Sequence, residues 1–475
     1  MSFNLMILII LIPLLGAFFA LSVKNNKNYS KNNVYNVSIW TLIINTLVIL
    51  YTFSLLDTSK SGIQIIEKYS WLSSIKLDII LGADIFSMLL VLSINISFLI
   101  AEVFLKRTQE LSQTLIASEL VFIGFFNGYL LSADIISFYI FFAAVTTPLV
   151  ILISTYANIN KKNILVRFSI YNLIGAIFLL VAVISIYTIK ETNIPLNTAG
   201  NINIEGLKKY VIWLSIFFAF ISRIPIFPFH YWISSINSSI KNPLVFLISN
   251  LIPLMGLYGF IRFWPNTVPE NIASYAPLFE AVSVITMLFI SLISLSHKDM
   301  RYKLFAYTTT YFLLYLIGIF MPTNVLKQNI GYSLFSYIII LTILSFLISH
   351  VEEQKKKLNL YSSAGILCYM PKTSKCLSLF ILAGIGLPIT PLFWNNFIII
   401  SEIFNNNLIL GIFVMLSILI VGISLLEELY KQKDKSSALS SNITNLDLSD
   451  ASFRVCICSI LVLFLSFFKP LWFVI

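Results

Sequence analysis

The stretch FAFISRIPIFPFHYW, residues 218–232, sets Arg223, Pro225, Pro228 and His230 inside an otherwise apolar run. A guanidinium keeps its proton at any physiological pH, whereas an imidazole exchanges one near neutrality. Proline supplies no N–H and interrupts the helical ladder, which releases upstream carbonyl oxygens for other donors. An arginine at the centre of a membrane helix costs about 3 kcal/mol or more and is tolerated beside a partner or water. These residue types in this order point to ion handling inside a membrane, with a carboxylate or a water-filled break expected opposite Arg223. A second run, GIGLPITPLFW, repeats the break with Gly386, Pro388 and Pro391.

Other chemistry is poorly represented. Cys456 and Cys458 fall inside the last apolar run, and Cys368 and Cys376 flank YMPKTSK at a spacing that suits neither a zinc ribbon nor a redox pair. His230, His297 and His350 are too scattered to form a metal cluster or to supply two haem ligands. There is no nucleotide-binding fingerprint and no nucleophile elbow. The residues assign no metal, no catalytic residue and no cofactor to this chain.

The elements that must position these residues are membrane helices. With 58% hydrophobic and 11% charged residues over 475 positions, a soluble globule would lack polar surface. A bilayer core takes about 20 apolar residues per helix, and runs of that length read as fourteen spans. They fall at 3–22, 37–56, 77–104, 114–131, 133–155, 164–187, 209–226, 243–264, 274–296, 303–320, 329–350, 375–402, 407–427 and 453–473. The runs are continuous, unlike the short alternating strands of a membrane barrel, so the class is all-α and polytopic. The first run has its lysines after it and no small-residue cleavage site, and reads as a retained span. Most Lys and Arg fall in the odd-numbered connections, which predicts those loops inside and both termini on the outer face. This asymmetry accounts for the net charge of +10 without any nucleic-acid surface.

Comparing spans 4–8 with spans 9–13 gives two five-helix blocks, each with a proline-interrupted fourth member, spans 7 and 12. An odd number of spans inverts the second copy, and paired broken helices in inverted repeats point to an ion pathway near the midplane. The bland alternative is that such prolines are common in membrane helices and satisfied by neighbours; Pro148 and Pro253 lie in other spans. The expected organisation is 1–113 for helices 1–3, 114–264 for the first repeat, 274–427 for the second, and 436–475 for a polar linker with the last helix.

At this point the residues carry a resemblance. AFISRIPIFPFHYW followed by GLYGFIRFWP is similar to helices 7 and 8 of the antiporter-like membrane subunits of proton-pumping NADH:quinone oxidoreductase, respiratory complex I, of the subunit M or mitochondrial subunit 4 type. GADIFS, SADIISFYIFFAAVTTPLVILI, HKDMRYKLFAYTTT, YSSAGILCYMPK and LAGIGLPITPLF follow in the same order, so the likeness spans about Leu81 to Asn405. The resemblance implies fourteen spans, a half-channel in each repeat, and a central line of buried lysines, histidines and a glutamate, with a helix 5 glutamate controlling a helix 7 lysine. A buried lysine suits that work because desolvation and a nearby carboxylate pull its proton affinity in opposite directions.

Carried over position by position, the relay is absent. The helix 5 glutamate falls on Ala143, the helix 7 lysine on Arg223, the helix 8 lysine on Leu254, the two histidines on Phe312 and Ile338, and the helix 12 glutamate on Asn396. Two readings follow: a diverged paralogue that keeps the fold without pumping through that line, or a different path through Asp134, Arg223, His230 and Glu402. Asp134 is expected at a helix end, where a solvated carboxylate is the plain reading, and His230 reads equally as a capping donor or a proton carrier. The resemblance implies a proton-translocating membrane subunit of a bacterial inner membrane, less readily an organellar one, working beside partner subunits that carry NADH, FMN, Fe–S clusters and quinone. The alternatives are a D-type subunit of a multisubunit cation/proton antiporter, which NGYLLSADIISFYIFF also resembles, and a non-pumping scaffold.

Overall fold

The structure, a computed structural model, describes residues 4–23, 30–57, 60, 62–72, 77–106, 112–157, 161–190, 207–267, 276–321, 324–357, 365–433 and 447–465. The expected linker at 436–449 lies outside them except for its last three residues, as does the end of the last expected span. In chain order the elements are α1 (Leu5–Ser22), α2 (Ser30–Ser54), β1 (Ile65–Leu72), β2 (Leu77–Ala83), α3 (Ile85–Leu105) and α4 (Gln113–Leu131). Then come α5 (Ile135–Ala144), α6 (Thr146–Tyr156), α7 (Lys161–Lys190), α8 (Leu207–Ile221), α9 (Tyr231–Ser239) and α10 (Pro243–Thr267). The remainder are α11 (Ala276–Ser296), α12 (Met300–Phe320), α13 (Asn324–Lys357), α14 (Pro371–Ile385), α15 (Pro391–Asn406), α16 (Leu408–Lys433) and α17 (Asp450–Leu465). Among the described residues 11 helices are long and apolar enough to cross a membrane.

Long apolar runs form helices here because lipid offers no partner to a free N–H or C=O. Polar residues mark where those helices start. Asp84 opens α3 with a reciprocal cap, its carboxylate accepting from Ser87 N at 2.9 Å while Ser87 Oγ accepts from Asp84 N at 3.1 Å. Ser112, Asp134 and Asp299 cap α4, α5 and α12. Helices α10, α12 and α13 form the enclosed centre, and every residue of α12 except Tyr302 is buried. Around them α1 packs on α4, α3 on α13, α7 on α8, and α11 on both α12 and α16. Leucines and phenylalanines along α1, α2, α7 and α16 face outward, as a lipid-facing surface requires.

Three sequence expectations change. The third span does not begin at 77: Leu77–Ala83 is a strand paired antiparallel with Ile65–Leu72, in register Ile65↔Ala83 through Leu72↔Leu77. The apolar run is continuous through 104, but Asp84 ends the strand and starts the helix, and hydropathy cannot see that boundary. Among the described residues the helical fold therefore also carries one two-stranded hairpin. Span 5 is also interrupted, at Val145, where Pro148 lacks the N–H that the Ala144 carbonyl would have accepted. Spans 7 and 12 break where expected, between Ile221 and Tyr231 and between Ile385 and Pro391. In span 12 the reversal is made by Gly386 at φ 102°, a conformation that needs glycine, and Pro391 restarts the helix in its first turn.

The hairpin is tied to the centre through Asp84, which receives Arg262 of α10 in a two-pronged contact at 2.7 and 2.6 Å. Arg262 Nε donates to Tyr258 Oη at 2.9 Å, and Tyr258 Oη donates to the Leu130 carbonyl at 2.5 Å. Removing one partner leaves the other as an uncompensated charge in a nearly buried place, at about 3–5 kcal/mol. Arg262→Leu should therefore lower the thermal midpoint in detergent sharply, and the Asp84→Leu/Arg262→Leu pair should lose less than the two single losses added together. Additive losses would show that the contact contributes nothing.

Candidate functional site

Arg223 sits just past the end of α8, fully buried. Its Nη1 donates to Asn172 Oδ1 on α7 in a short contact, and its Nη2 donates to the Phe142 carbonyl on α5 at 3.1 Å. The guanidinium also lies 4.2 Å from the Phe142 ring centroid. Asn172 is oriented by donating its own NH2 to the Phe168 carbonyl at 2.7 Å, which turns its oxygen to the arginine. The expected carboxylate is not there: among the described residues no ion pair involves Arg223. A carbonyl and an amide hold the charge instead, and Nε has no partner. Phe142 adjoins Ala143, so Arg223 meets α5 through a backbone carbonyl in place of a side-chain carboxylate.

A second buried polar cluster lies between α9, α10 and α12. Asn237 of α9 and Asn250 of α10 exchange hydrogen bonds at 3.3 Å, Ser249 donates to Asn237 at 3.1 Å, and Thr308 of α12 donates to Asn250 at 3.0 Å. One turn beyond Asn250 lies Leu254, fully buried. Next come four phenols, Tyr307, Tyr311 and Tyr315 of α12 with Tyr337 of α13, whose rings lie 4.7 to 6.4 Å apart. Phe312 packs edge-on to Tyr337 at 5.2 Å, and Ile338 beside it is buried. Tyr311 Oη donates at 2.8 Å to the Gly384 carbonyl, one of those released by the break in span 12. Asn396 of α15 is buried facing Tyr315.

Around the positions Ala143, Leu254, Phe312, Ile338 and Asn396 the described polar groups are amide, hydroxyl and phenol, with Arg223 beside Phe142. Such groups accept and donate hydrogen bonds and can order water, but none ordinarily loads and releases a proton near neutral pH.

The substitutes lie elsewhere. Asp134 is fully buried and works as a cap, accepting from Ile136 N and Ser137 N at 3.0 and 2.9 Å, while its other oxygen accepts from Ile80 N of β2 at 2.9 Å. It fastens the hairpin to α5 rather than facing Arg223, and it is enclosed rather than solvated. His230 stands half-buried at the start of α9 without capping it, its ring 6.0 Å from Phe227 and 6.3 Å from Phe289. Glu402 is half-buried on α15. Pro225 is buried, but Pro228 and Pro388 reach the surface beside exposed Phe227 and Ile389, so each break runs from the core to the outside.

Sequence reasoning passed over Glu102 on α3, Glu119 on α4, and the enclosed pair Lys303–Glu428 at 3.5 Å, where Lys303 also donates to the Ser424 carbonyl at 2.9 Å. The signal existed: a glutamate inside an apolar run is expensive wherever it stands. No group of three or more metal-ligating side chains occurs among the described residues.

Interrupted helices packed around a polar line inside a lipid-facing shell define a polytopic transport-type membrane protein. The family model described as NADH:quinone oxidoreductase/Mrp antiporter, TM, matches residues 132–421, more than half of the chain, and the chain belongs to that family. It is similar to NADH-quinone oxidoreductase subunit M of Rickettsia prowazekii (strain Madrid E), 27% identical over 452 residues, covering 92% of this chain and 89% of that one. In fold it is similar to a chain of respiratory complex I from Thermus thermophilus with bound NADH, with a TM-score of 0.84 at 18% identity over 98% of this chain and 96% of that one. A chain of the Mrp complex from Dietzia sp. DQ12-45-1b has a TM-score of 0.77 at 13% identity, over 96% of this chain and 49% of that one.

The Arg223–Asn172 contact is open to a double-mutant test. Arg223→Leu removes the donors from two buried acceptors, at about 1–3 kcal/mol each, whereas replacing both partners by apolar groups leaves fewer groups unsatisfied. Thermal melting in detergent should show Arg223→Leu/Asn172→Leu losing at least about 1 kcal/mol less than the two single losses together; strict additivity would show the contact is not made.

Proposed function

We propose that the protein is a membrane-arm subunit of a proton-translocating NADH:quinone oxidoreductase, of the subunit M type, with a central line that no longer carries titrating groups. The observation that supports this reading best is length together with order. The likeness to subunit M runs through 92% of this chain and 89% of the relative, and the complex I chain is matched over 96% of its length against 49% for the Mrp chain. Spans α4 to α10 and α11 to α16 then form two inverted five-helix repeats, with α8/α9 and α14/α15 as the matched broken members. Fourteen crossings place both termini outside and the lysine-rich connections inside, in a bacterial inner membrane.

In this reading electron transfer belongs to partners. NADH, FMN, Fe–S clusters and quinone reside on other subunits, and this chain contributes helices and a polar interior to the membrane arm. Arg223 supplies a fixed positive charge where the resemblance expects a switching one. It biases the potential of the line and orders water along Asn237, Asn250 and the phenols, without itself exchanging a proton.

Affinity purification of the tagged protein in mild detergent, with mass spectrometry and an NADH-to-quinone assay, tests the assignment. Co-purifying Fe–S subunits and quinone reduction are expected. Small antiporter-type membrane partners without redox centres would replace this reading with the cation/proton antiporter one.

A further inference from the structure

Outside the interrupted-helix core, a second polar seam runs through α2, α3 and α4. Ser38, Asn45 and Thr52 recur at two-turn spacing on α2, Asn95 and Glu102 do so on α3, and Glu119 and Asn127 follow on α4; all are fully enclosed. Asn45 donates to Asn95 at 2.7 Å and Asn95 donates to Asn127 at 3.4 Å, so the three helices are stitched by amides at one level. Above that level stand the two glutamates, Glu102 in the last turn of α3 and Glu119 in the second turn of α4, close enough for their charges to act on one another.

None of the four carboxyl oxygens has a hydrogen-bond partner, and neither has Asn45 Oδ1 or Asn127 Nδ2. Ser38 Oγ lies beside Glu102 but donates to the Tyr35 carbonyl at 2.9 Å. The titratable groups at that end include Tyr35 of α2, which feels the charge of Glu102, Lys106 just past α3, whose ammonium sits 4.8 Å over the Tyr35 ring, and His350, Glu353 and Lys357 of α13, which line a cavity with Phe104 of α3. No ion pair joins Lys106 to either acid among the described residues.

Two adjacent carboxylates, both ionised and without donors, would cost several kcal/mol each in desolvation and repel one another besides. A proton on either carboxyl removes one of the two buried charges and the repulsion between them. We infer that Glu102 and Glu119 form a proton-binding carboxyl pair, reached from the end of the bundle that carries Lys106 and continued inward by the Asn45–Asn95–Asn127 amides. The site goes beyond the assignment to an oxidoreductase and stands without it, because it uses only residues of α2, α3 and α4.

Infrared spectroscopy of the protein, purified in whatever assembly it occupies, tests the pair. At neutral pH the wild type should show a protonated carboxyl C=O band that shifts in D2O, disappears in Glu102→Gln/Glu119→Gln, and changes position in each single variant. A wild type without the band, or a double variant that keeps it unchanged, overturns the proposal. Loss of the band on adding sodium at constant pH would also overturn it, by making the site a cation ligand. Should the glutamine variants fail to fold, the wild type alone decides through dicyclohexylcarbodiimide, which attacks protonated carboxyls from the lipid. Peptide mapping should find Glu102 or Glu119 labelled, less so as pH rises; no labelling, or labelling independent of pH, overturns the assignment.

Discussion

A positive charge without a counter-charge, closed off from water, is the constraint around which the first half of this molecule is arranged. Arg223 can remain where it is only because α5 offers the Phe142 carbonyl and α7 offers an amide oxygen already turned toward it. The carbonyl lies just before the interruption at Val145, and the arginine lies just past the end of α8, so two helix breaks meet at one charge. Neutral acceptors stabilise a cation less than a carboxylate would, but they add no second charge to desolvate. The arrangement fixes the positions of three helices.

The second half follows a different logic. Where α14 ends at Gly386, the Gly384 carbonyl is taken by a phenol, and Tyr307, Tyr311, Tyr315 and Tyr337 pack together beside the break. Of the four hydroxyls only that of Tyr311 is hydrogen-bonded; those of Tyr307, Tyr315 and Tyr337 are buried without a partner. Buried acidic groups stand in the seam of α2 to α4 and beside Lys303 and Arg301 at the N-terminal end of α12.

Much of this was legible in the residues. The helical, polytopic class and the two proline breaks follow from hydropathy and punctuation, whereas fourteen spans were expected and 11 helices among the described residues are long and apolar enough to cross a membrane. The hairpin was not legible, because Leu77–Ala83 is as apolar as the helix after it and only a three-residue capping pattern at Asp84 separates the two. The residues point to a carboxylate or a water-filled break opposite Arg223, since a sequence displays carboxylates and hides backbone carbonyls. The pairing of Glu102 with Glu119 depends on which faces of α3 and α4 meet, and a single sequence leaves that register free.

The enclosure of α12 bears on how the protein is made. This helix is the least apolar of the candidate spans, with three consecutive threonines and several tyrosines, yet protein surrounds it on all sides. Released alone into lipid, it would present those hydroxyls to hydrocarbon. Its neighbours α13 and α16 are synthesised after it, and α10 and α11 before it, so its stable residence in the bilayer waits for segments that have not yet left the ribosome. Biogenesis is therefore not a simple sequence of independent insertions: the centre of the bundle is the part that must be sheltered longest, and the outer, greasier helices are the ones able to wait for it.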